Sequence, residues 1–369
     1  MKLFAVFLLL LSLILKSNAG YAQTSQAVQN EWDKIVDAGK KEGKIVVSVP
    51  SSAELRKGVE KTFKQRFGIE AELIAGRAAS IVGKIQQEAK AGVYNFDLHI
   101  GGSESMVTGL LSEGLLAPFE SAMALPEVKD PKNWWGGHVW IDNAKSYIYS
   151  SQAYLTENLW YNTDHVKPEE IRSFDDLLHP KWVGKIGYLD PRTAGSGTSI
   201  WSFLWKLKGE EYLKRLAGQK LFLSRDQRVL AESLAKGKLA LVVGLTYYSF
   251  VPYLKAGLPV KPLPNPRDEV YVSGGSGHVT MLKGAPHPNA TKVFINWFLG
   301  KEGQEIFGRA MGQGTRRLDV DTQWLKEFGV IAAKDSLTPD QYPRLENQSE
   351  DKILKVREPA AEFARKLLD

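Results

Sequence analysis

Between residues 44 and 114 the sequence alternates short apolar runs with longer amphipathic runs, three times in succession. The short runs are rich in β-branched residues and predict buried strands, whereas the longer runs carry apolar residues every three or four positions and predict helices. The predicted strands are Lys44–Val49, Ile69–Ile74 and Phe96–Ile100, and the predicted helices are Glu54–Phe67, Ser80–Lys90 and Ser103–Glu113. This alternation with short loops favours an α/β fold with a doubly wound, mostly parallel sheet.

Small and polar residues follow each of these predicted strands. In an open parallel sheet the ligand lies beyond the carboxyl ends of the strands, so these residues are candidates for ligand contact. The candidates at this edge are Ser51, Ser52, Arg77, Gly102 and Ser103. Glycine and serine are also favoured in turns for conformational reasons alone, so an ordinary set of loops is the alternative.

A second candidate site lies in the segment KWVGKIGYLDPRTAGSGTSIW, residues 181–201. A short predicted strand, Ile186–Leu189, runs into a turn rich in Gly, Ser and Thr, after which an apolar helix begins. Such a turn presents backbone N–H groups and hydroxyls at the positive end of a helix, which suits an anion or a polar ligand. The candidate residues are Arg192, Gly195, Ser196, Gly197 and Thr198. The alternatives are a simple helix cap and a local ion pair between Asp190 and Arg192.

The chain contains no cysteine, which excludes a disulfide framework, thiolate metal sites and a cysteine nucleophile. Lys2 and the apolar run Leu3–Leu15 predict a secretory signal peptide over residues 1–22, with cleavage near Ala19 or Ala22. Together these features favour the periplasm or the cell exterior. The formal net charge of +6 is dispersed without a basic run, so nucleic acid is not an expected partner.

The rest of the chain is long enough for two lobes. An aromatic-rich segment, 130–161, predicts a passage from the first lobe to the second, and Ser273–Gly277 predicts the return. The expected boundaries are 44–146 plus 274–318 for lobe one, and 147–273 plus 319–369 for lobe two. Gly275 and Ser276 in the return segment are further candidate ligand residues.

Five stretches of the sequence follow one another in the order found in a known family. They are KKEGKIVVSVPSS, FDLHIGGSESMVTGLLSEGLLAPF, SFDDLLHPKWVGKIGYLDPR, LAKGKLALVVG and SGGSGHVTMLKGAPHPNATKVFINWFLGKEGQEIF. The chain resembles the periplasmic solute-binding proteins of ABC importers with the type II periplasmic-binding-protein fold. The resemblance is to the iron(III)-, thiamine- and small-anion-binding branch of extracellular solute-binding protein family 1.

This resemblance implies two lobes, joined by two crossing segments, that close over one small-molecule or metal ligand. It implies a membrane permease as the partner that receives the ligand, and no catalysed reaction. It also implies a monomer that meets the membrane only through that permease.

The resemblance leaves two kinds of ligand open. In ferric members, adjacent tyrosines of the second lobe hold the metal, and Tyr247 and Tyr248 occupy the matching position. Phenolate oxygens are hard donors that suit Fe(III), which would then be carried as a ligand and not held as a cofactor. The family's histidine and glutamate are absent from their positions, where this chain has Ser51-Ser52 and Gly101-Gly102. If iron is the ligand, the site would therefore consist of the tyrosines and an anion that completes the coordination.

The other ligand class is a small anionic or zwitterionic organic solute, such as a phosphonate, a phosphate ester or a carboxylate. Its candidate cationic partners are Arg77, Arg192, Arg225 and Arg228. Arg77 follows the second predicted strand, where a guanidinium could clamp an oxyanion through two hydrogen bonds.

A hydrolase is the competing class of function. The G-x-S-x-G nucleophile motif is incomplete, because Gly101–Ser105 and Gly274–His278 both lack the last glycine. The six histidines show no metal-ligand spacing, and His99 is expected to be structural. The sequence therefore predicts a binding protein without a resident cofactor.

Overall fold

The computed structural model describes residues 26–156, 159–263 and 271–369. The predicted signal peptide lies outside these residues. Within them, no helix combines the length and the apolar character that a membrane span requires.

Strands and helices alternate through most of the described chain. The strands are β1 (Lys44–Val49), β2 (Glu70–Ala75), β3 (Leu98–Gly101), β4 (Leu116–Ala117), β5 (Ile148–Ser150), β6 (Tyr154–Leu155), β7 (Leu159–Asn162), β8 (Ile186–Leu189), β9 (Phe222–Ser224), β10 (Leu241–Val243), β11 (Val260–Pro262), β12 (Val272–Ser273), β13 (His278–Leu282) and β14 (Ile331–Ala332). The helices are α1 (26–42), α2 (Ala53–Phe67), α3 (Ala78–Lys90), α4 (Ser103–Ser105), α5 (Pro126–Lys129), α6 (Ser196–Ala217), α7 (Gln227–Ala235), α8 (Tyr247–Lys255), α9 (Pro288–Leu299), α10 (Lys301–Met311), α11 (Tyr342–Leu345), α12 (Glu350–Lys352) and α13 (Glu358–Leu368). Short π-helical stretches, Met106–Leu111 and Ile353–Arg357, continue α4 and lead from α12 into α13.

The first sheet has six strands, in the order β2-β1-β3-β13-β4, with β5 also paired to β13. Strand β1 lies parallel to both β2 and β3, as the alternating sequence pattern predicted. Strand β13 enters from a distant part of the chain and runs antiparallel to β3. Apolar residues four positions apart on α2, namely Leu55, Val59 and Phe63, are buried in the core beneath this sheet. We call this sheet and the helices packed on it lobe one.

The second sheet has five strands, in the order β11-β7-β10-β8-β9. Strands β8, β9 and β10 are parallel, whereas β7 and β11 run antiparallel to their neighbours. Helix α6 packs on this sheet through Ile200, Trp201 and Leu204, all fully buried. We call this sheet and its helices lobe two, and the boundaries predicted from sequence remain a proposal.

Within the described residues, the two lobes are connected near β6, near β12 and by the C-terminal segment. A small sheet of β6, β12 and β14 forms where the chain passes between lobes, close to the two predicted crossings. The C-terminal segment, which the sequence analysis assigned to lobe two, also contacts lobe one. Ile353 is buried with Val46 and Ile81 of lobe one, whereas Ala360 and Ala364 are buried in the core of lobe two. The segment therefore ties the two cores together.

The start of α6 depends on a glycine. A Cβ atom at Gly197 would lie 2.1 Å from the carbonyl oxygen of Leu189, so only glycine lets the first turn of α6 approach the end of β8 this closely. Backbone atoms cannot move aside as a flexible side chain can, and the overlap must shift the helix.

We predict that Gly197→Ala lowers the free energy of unfolding by about 1–3 kcal/mol, the usual cost of overpacking. Urea denaturation followed by circular dichroism measures this change. Gly83→Ala in α3 is the matched control, since nothing lies within 4 Å of its added Cβ atom. This variant should be as stable as the native chain or more so, because alanine favours the helix. Equal stability of the two variants would contradict the packing argument.

Candidate functional site

A cavity of about 1400 Å³ lies between the two lobes. Residues that follow the carboxyl ends of strands in both sheets line it, together with residues of the crossing segments and the C-terminal segment. The lining includes Ser51, Ser52, Gly76, Arg77, His99, Gly102, Glu104, Tyr154, Asp190, Gly195, Ser196, Ser199, Tyr248, Tyr271, Ser273, Gly275, Ser276, Gln348 and Arg357. The topology explains this, because parallel strands bring their carboxyl ends to one edge of each sheet.

Nine of the fourteen ligand residues proposed from the sequence line this cavity. They are Ser51, Ser52, Arg77, Gly102, Gly195, Ser196, Tyr248, Gly275 and Ser276. They come from both lobes and from a crossing segment. Their contact with a ligand remains a prediction.

Several helices begin at the cavity, so their free backbone N–H groups face it. Helix α2 is capped by Ser52, whose hydroxyl accepts a hydrogen bond of 3.2 Å from the Leu55 N–H. Helices α3, α6 and α8 begin at Arg77, Gly195 and Thr246, and none of these three residues caps its helix with a side chain. Uncapped helix starts carry partial positive charge and favour an anionic group.

Most charged side chains around the cavity are already paired. The pairs are Arg56 with Glu60, Arg225 with Asp190, Arg228 with Asp226, Lys255 with Glu54, and Arg357 with Glu104. The exposed guanidinium of Arg77 has neither a hydrogen bond nor an ion pair within the described residues. Arg77 is therefore a cation of the cavity wall that is available to a ligand.

Arg192, which was proposed from the sequence as a ligand residue, does not line this cavity. Its Nε and Nη2 atoms donate to Asp190 at 2.9 and 3.0 Å, and its Nη1 atom donates to Asp369 at 2.8 Å. The side chain holds the C-terminal residue against β8, which is the local ion pair that was the alternative. Burial opposes ionisation of Asp190, but hydrogen bonds from Arg192 and Arg225 outweigh it and lower the pKa of this carboxyl to about 2.

Gly197, Thr198 and Ser103 were also proposed as ligand residues, and the structure gives all three structural roles. Gly197 packs against the backbone of β8. The Thr198 hydroxyl is fully buried and donates to the carbonyl of Pro191 at 3.1 Å. The Ser103 hydroxyl is fully buried and donates to Gln348 Oε1 at 3.2 Å.

The tyrosine pair does not present two phenols to the cavity. Tyr248 lines it, whereas the Tyr247 ring packs on Phe328 at 4.3 Å between centroids and covers Gly312. Consecutive residues of a helix point about 100° apart, which explains the divergence. Burial raises the pKa of both phenols, so both are neutral at pH 7. Within the described residues, no three His, Asp or Glu side chains come together as a metal site.

A group of hydrogen-bonded polar side chains around Gln348 lines the cavity, and sequence reasoning did not find it. Gln348 Nε2 donates to the Tyr271 hydroxyl and to Ser199 Oγ, at 3.4 Å in each case. Gln348 comes from the C-terminal segment, far from any strand end, and no local motif marks it. His99 also lines the cavity, but its Nδ1 atom lies 2.6 Å from Ser48 Oγ, and burial lowers its pKa to about 4.

Comparison with known sequences identifies the family. Residues 45–312 match the family described as bacterial extracellular solute-binding protein, and the chain belongs to this family. It is a solute-binding protein by family and has the fold of the two-lobed periplasmic binding proteins, as the sequence resemblance predicted.

Individual relatives are distant. Iron uptake protein A1 of Synechocystis sp. is 25% identical over 269 residues, covering 67% of this chain and 68% of that protein. Iron-bound HitA from Pseudomonas aeruginosa shares the fold with a TM-score of 0.63 at 18% identity, covering 88% of this chain and 99% of HitA. AfuA from Actinobacillus pleuropneumoniae, solved with exogenous fructose-6-phosphate bound, has a TM-score of 0.65 at 20% identity, covering 89% of this chain and 98% of AfuA. At these identities the solved structures show the fold alone.

We predict that Arg192→Gln destabilises the protein at neutral pH, because it leaves the buried Asp190 carboxylate with Arg225 as its remaining ion-pair partner. The pKa of Asp190 is lowered in the folded state, so its contribution is fully present above its unfolded pKa near 3.8 and is lost as the pH falls towards 2. The stability deficit of the variant should therefore be larger at pH 7 than at pH 2.5 in urea titrations. Arg228→Gln, which removes an exposed pair with Asp226, is the control and should change stability little. A deficit for Arg192→Gln that is equal at both pH values would contradict this role.

Proposed function

We propose that this protein captures a small organic anion or zwitterion in the cleft between its lobes and delivers it to the permease of an ABC importer. It does so in the periplasm, as a monomer without a resident cofactor, and it catalyses no reaction. The observation that carries the proposal is the unpaired Arg77 guanidinium beside the uncapped start of α3.

The position of Arg77 supports an oxyanion ligand. Arg77 lies between the end of β2 and the start of α3, so its guanidinium and the first N–H groups of α3 belong to one short stretch of chain. Ala78 and Ala79, the first residues of that helix, also line the cavity. A guanidinium and an uncapped helix start both favour a carboxylate, phosphate or phosphonate group.

The size of the cavity supports an organic molecule. Pockets for small organic ligands commonly have volumes of about 300–1000 Å³, so a cavity of about 1400 Å³ accommodates a sugar- or amino-acid-sized solute with water. The hydroxyl groups of Ser51, Ser196, Ser273 and Ser276 provide polar contacts for the body of such a solute.

Both lobes contribute to this site, which suits a solute whose binding favours closure. Arg77 and Ser51 belong to lobe one, whereas Ser196 and Tyr248 belong to lobe two. A ligand that contacts both walls binds the closed arrangement more tightly than the open one, and this difference in affinity shifts the equilibrium towards closure.

Ferric iron is the second candidate ligand, favoured by the Tyr248 phenol in the cavity and by distant relatives that include an iron uptake protein. The geometry opposes it, because Tyr247 packs away from the cavity and leaves Tyr248 as the phenol of this pair that lines it. Iron binding here would require an exogenous anion and a single phenolate from this pair.

We predict that an organic anion stabilises the wild-type protein against heat and that Arg77→Gln weakens its binding about tenfold or more. A hydrogen bond to a charged group contributes about 1.5–3 kcal/mol, and 1.4 kcal/mol corresponds to a factor of ten. Fructose 6-phosphate, O-phosphoethanolamine and inorganic phosphate are suitable probes for thermal-shift measurements, followed by calorimetry for those that bind. Mass spectrometry of the ligand that co-purifies with the native protein adds the natural solute to this panel.

Arg66→Gln is the matched control for Arg77→Gln. Arg66 is an exposed arginine of the same lobe, paired with Glu302 at 2.8 Å, and it does not line the cavity. Its replacement should leave the affinity unchanged. The proposal is wrong if none of the anions or co-purified solutes binds, or if Arg77→Gln and Arg66→Gln bind them equally.

We predict that the protein remains colourless when Fe(III) citrate is added in the presence of bicarbonate or phosphate. Phenolate coordination would produce a red charge-transfer band, which absorption spectroscopy detects. Tyr248→Phe and Tyr247→Phe form a matched pair for this test, since Tyr248 alone of the two lines the cavity. A red band that Tyr248→Phe removes would establish iron as the ligand and overturn the organic-anion proposal.

A further inference from the structure

A buried ion pair crosses the cleft between the lobes. Glu104 follows β3 of lobe one, and its Oε2 atom accepts hydrogen bonds from Arg357 Nη2 at 2.5 Å and from the Gly195 N–H at 3.0 Å. Gly195 precedes α6 of lobe two. One carboxylate oxygen of lobe one is thus bonded directly to the backbone of lobe two.

Arg357 is hydrogen-bonded to lobe two. Its Nη2 atom also donates to the carbonyl oxygen of Gly195 at 3.1 Å. Helix α13, which follows it, packs on α6 through Ala360 and Ala364. Arg357 also ends the π-helical stretch Ile353–Arg357, whose first residue is buried in lobe one. Any movement that carries Gly195 and α13 away from Glu104 would break both of these contacts.

The pair is shielded from water, in contrast to a second ion pair across the cleft, Lys255 with Glu54. Glu104 is 6% exposed and Arg357 is 3% exposed. The Lys255–Glu54 pair lies on the surface, with about half or more of each side chain accessible. Exposed pairs contribute little to stability, whereas removing one partner of a buried pair leaves an uncompensated charge.

A second bridge accompanies the ion pair. Gln348 Oε1 accepts a hydrogen bond from Ser103 of lobe one, and its Nε2 atom donates to Ser199 of lobe two. Gln348 and Arg357 both lie beyond residue 312, where the match to the family ends. Two of the contacts across the cleft, those of Gln348 and Arg357, thus depend on a C-terminal segment outside the matched region.

We propose that Glu104 and Arg357 are positioning residues for solute capture, which hold the two lobes closed before a solute binds. The proposal rests on solute binding in the cleft but not on the identity of the solute. The apparent affinity for a solute scales with the fraction of protein in the binding-competent state. A cross-cleft pair that raises this fraction strengthens binding without touching the solute.

The absence of cysteine makes the test direct, because two introduced cysteines can be spin-labelled without background. Lys64→Cys on α2 and Val229→Cys on α7 place exposed labels on lobes one and two, respectively. Double electron–electron resonance then measures the distance between the labels in ligand-free protein. We expect a short, narrow distribution in the parent protein. In both Glu104→Gln and Arg357→Met, the ratio of closed to open molecules should fall about tenfold or more.

Two comparisons separate this role from a general loss of stability. The double variant Glu104→Gln with Arg357→Met should recover thermal stability relative to either single variant, because no buried charge is left unpaired. It should nevertheless remain open. Glu72→Gln removes an exposed pair with Lys44 within lobe one and should leave the distance distribution unchanged.

Unchanged distances in the double variant would overturn the proposal, as would a parent protein that is already open without ligand. If a single variant does not fold, the double variant still decides the outcome. Because these distances are measured without ligand, they are independent of whether any anion binds. A failure of the anion proposal would appear only in the thermal-shift and calorimetric measurements.

Discussion

Parallel strands that share a sheet end at the same edge, and in this protein that constraint operates in both lobes. Strands β1 and β2 of lobe one, and β8 and β10 of lobe two, each lead into a helix whose first turn borders the cleft. The starts of α2, α3, α6 and α8 therefore converge on one cavity, and each carries part of a positive charge. This concentration of N–H groups favours negative charge in the cavity. The chain supplies some of it through Glu104, and the rest is available to a solute.

The side chains of the cavity are suited to hydrogen bonding more than to metal coordination. Burial raises the pKa of the Tyr154, Tyr248 and Tyr271 phenols, so they enter the site as neutral donors and acceptors. His99 is buried and neutral, and its Nδ1 atom is engaged with Ser48. Neutral hydroxyl groups near the unpaired Arg77 guanidinium suit an oxyanion attached to a polar body. A trivalent cation would instead require several ionised oxygens within a few ångströms.

The sequence predicted the α/β class and the strand ends of lobe one, because both follow from local periodicity and turn chemistry. It did not distinguish Arg77 from Arg192, since both are arginines that follow a strand. The difference depends on Asp190 and on Asp369, which lies 177 positions from Arg192 in the chain. Tyr247 and Tyr248 were likewise equivalent in the sequence, and the geometry of α8 points their side chains in different directions. Gln348 and Arg357 carried no local signal, because their roles arise from the path of the C-terminal segment between the lobes.

The path of the C-terminal segment also affects where the anionic group of a solute can bind. The Glu104 carboxylate already accepts the Gly195 N–H at the start of α6, and Arg357 completes its hydrogen bonding there. A second anion at the same position would meet the Glu104 charge at close range, which costs free energy in a site shielded from water. Among the described residues, no carboxylate accepts a hydrogen bond from the start of α3, and Arg77 lies directly beside it. Closure through Glu104 and oxyanion capture through Arg77 are therefore compatible, because they use different helix starts. Under both proposals, the anionic group of the solute would lie against lobe one and its polar body would contact lobe two.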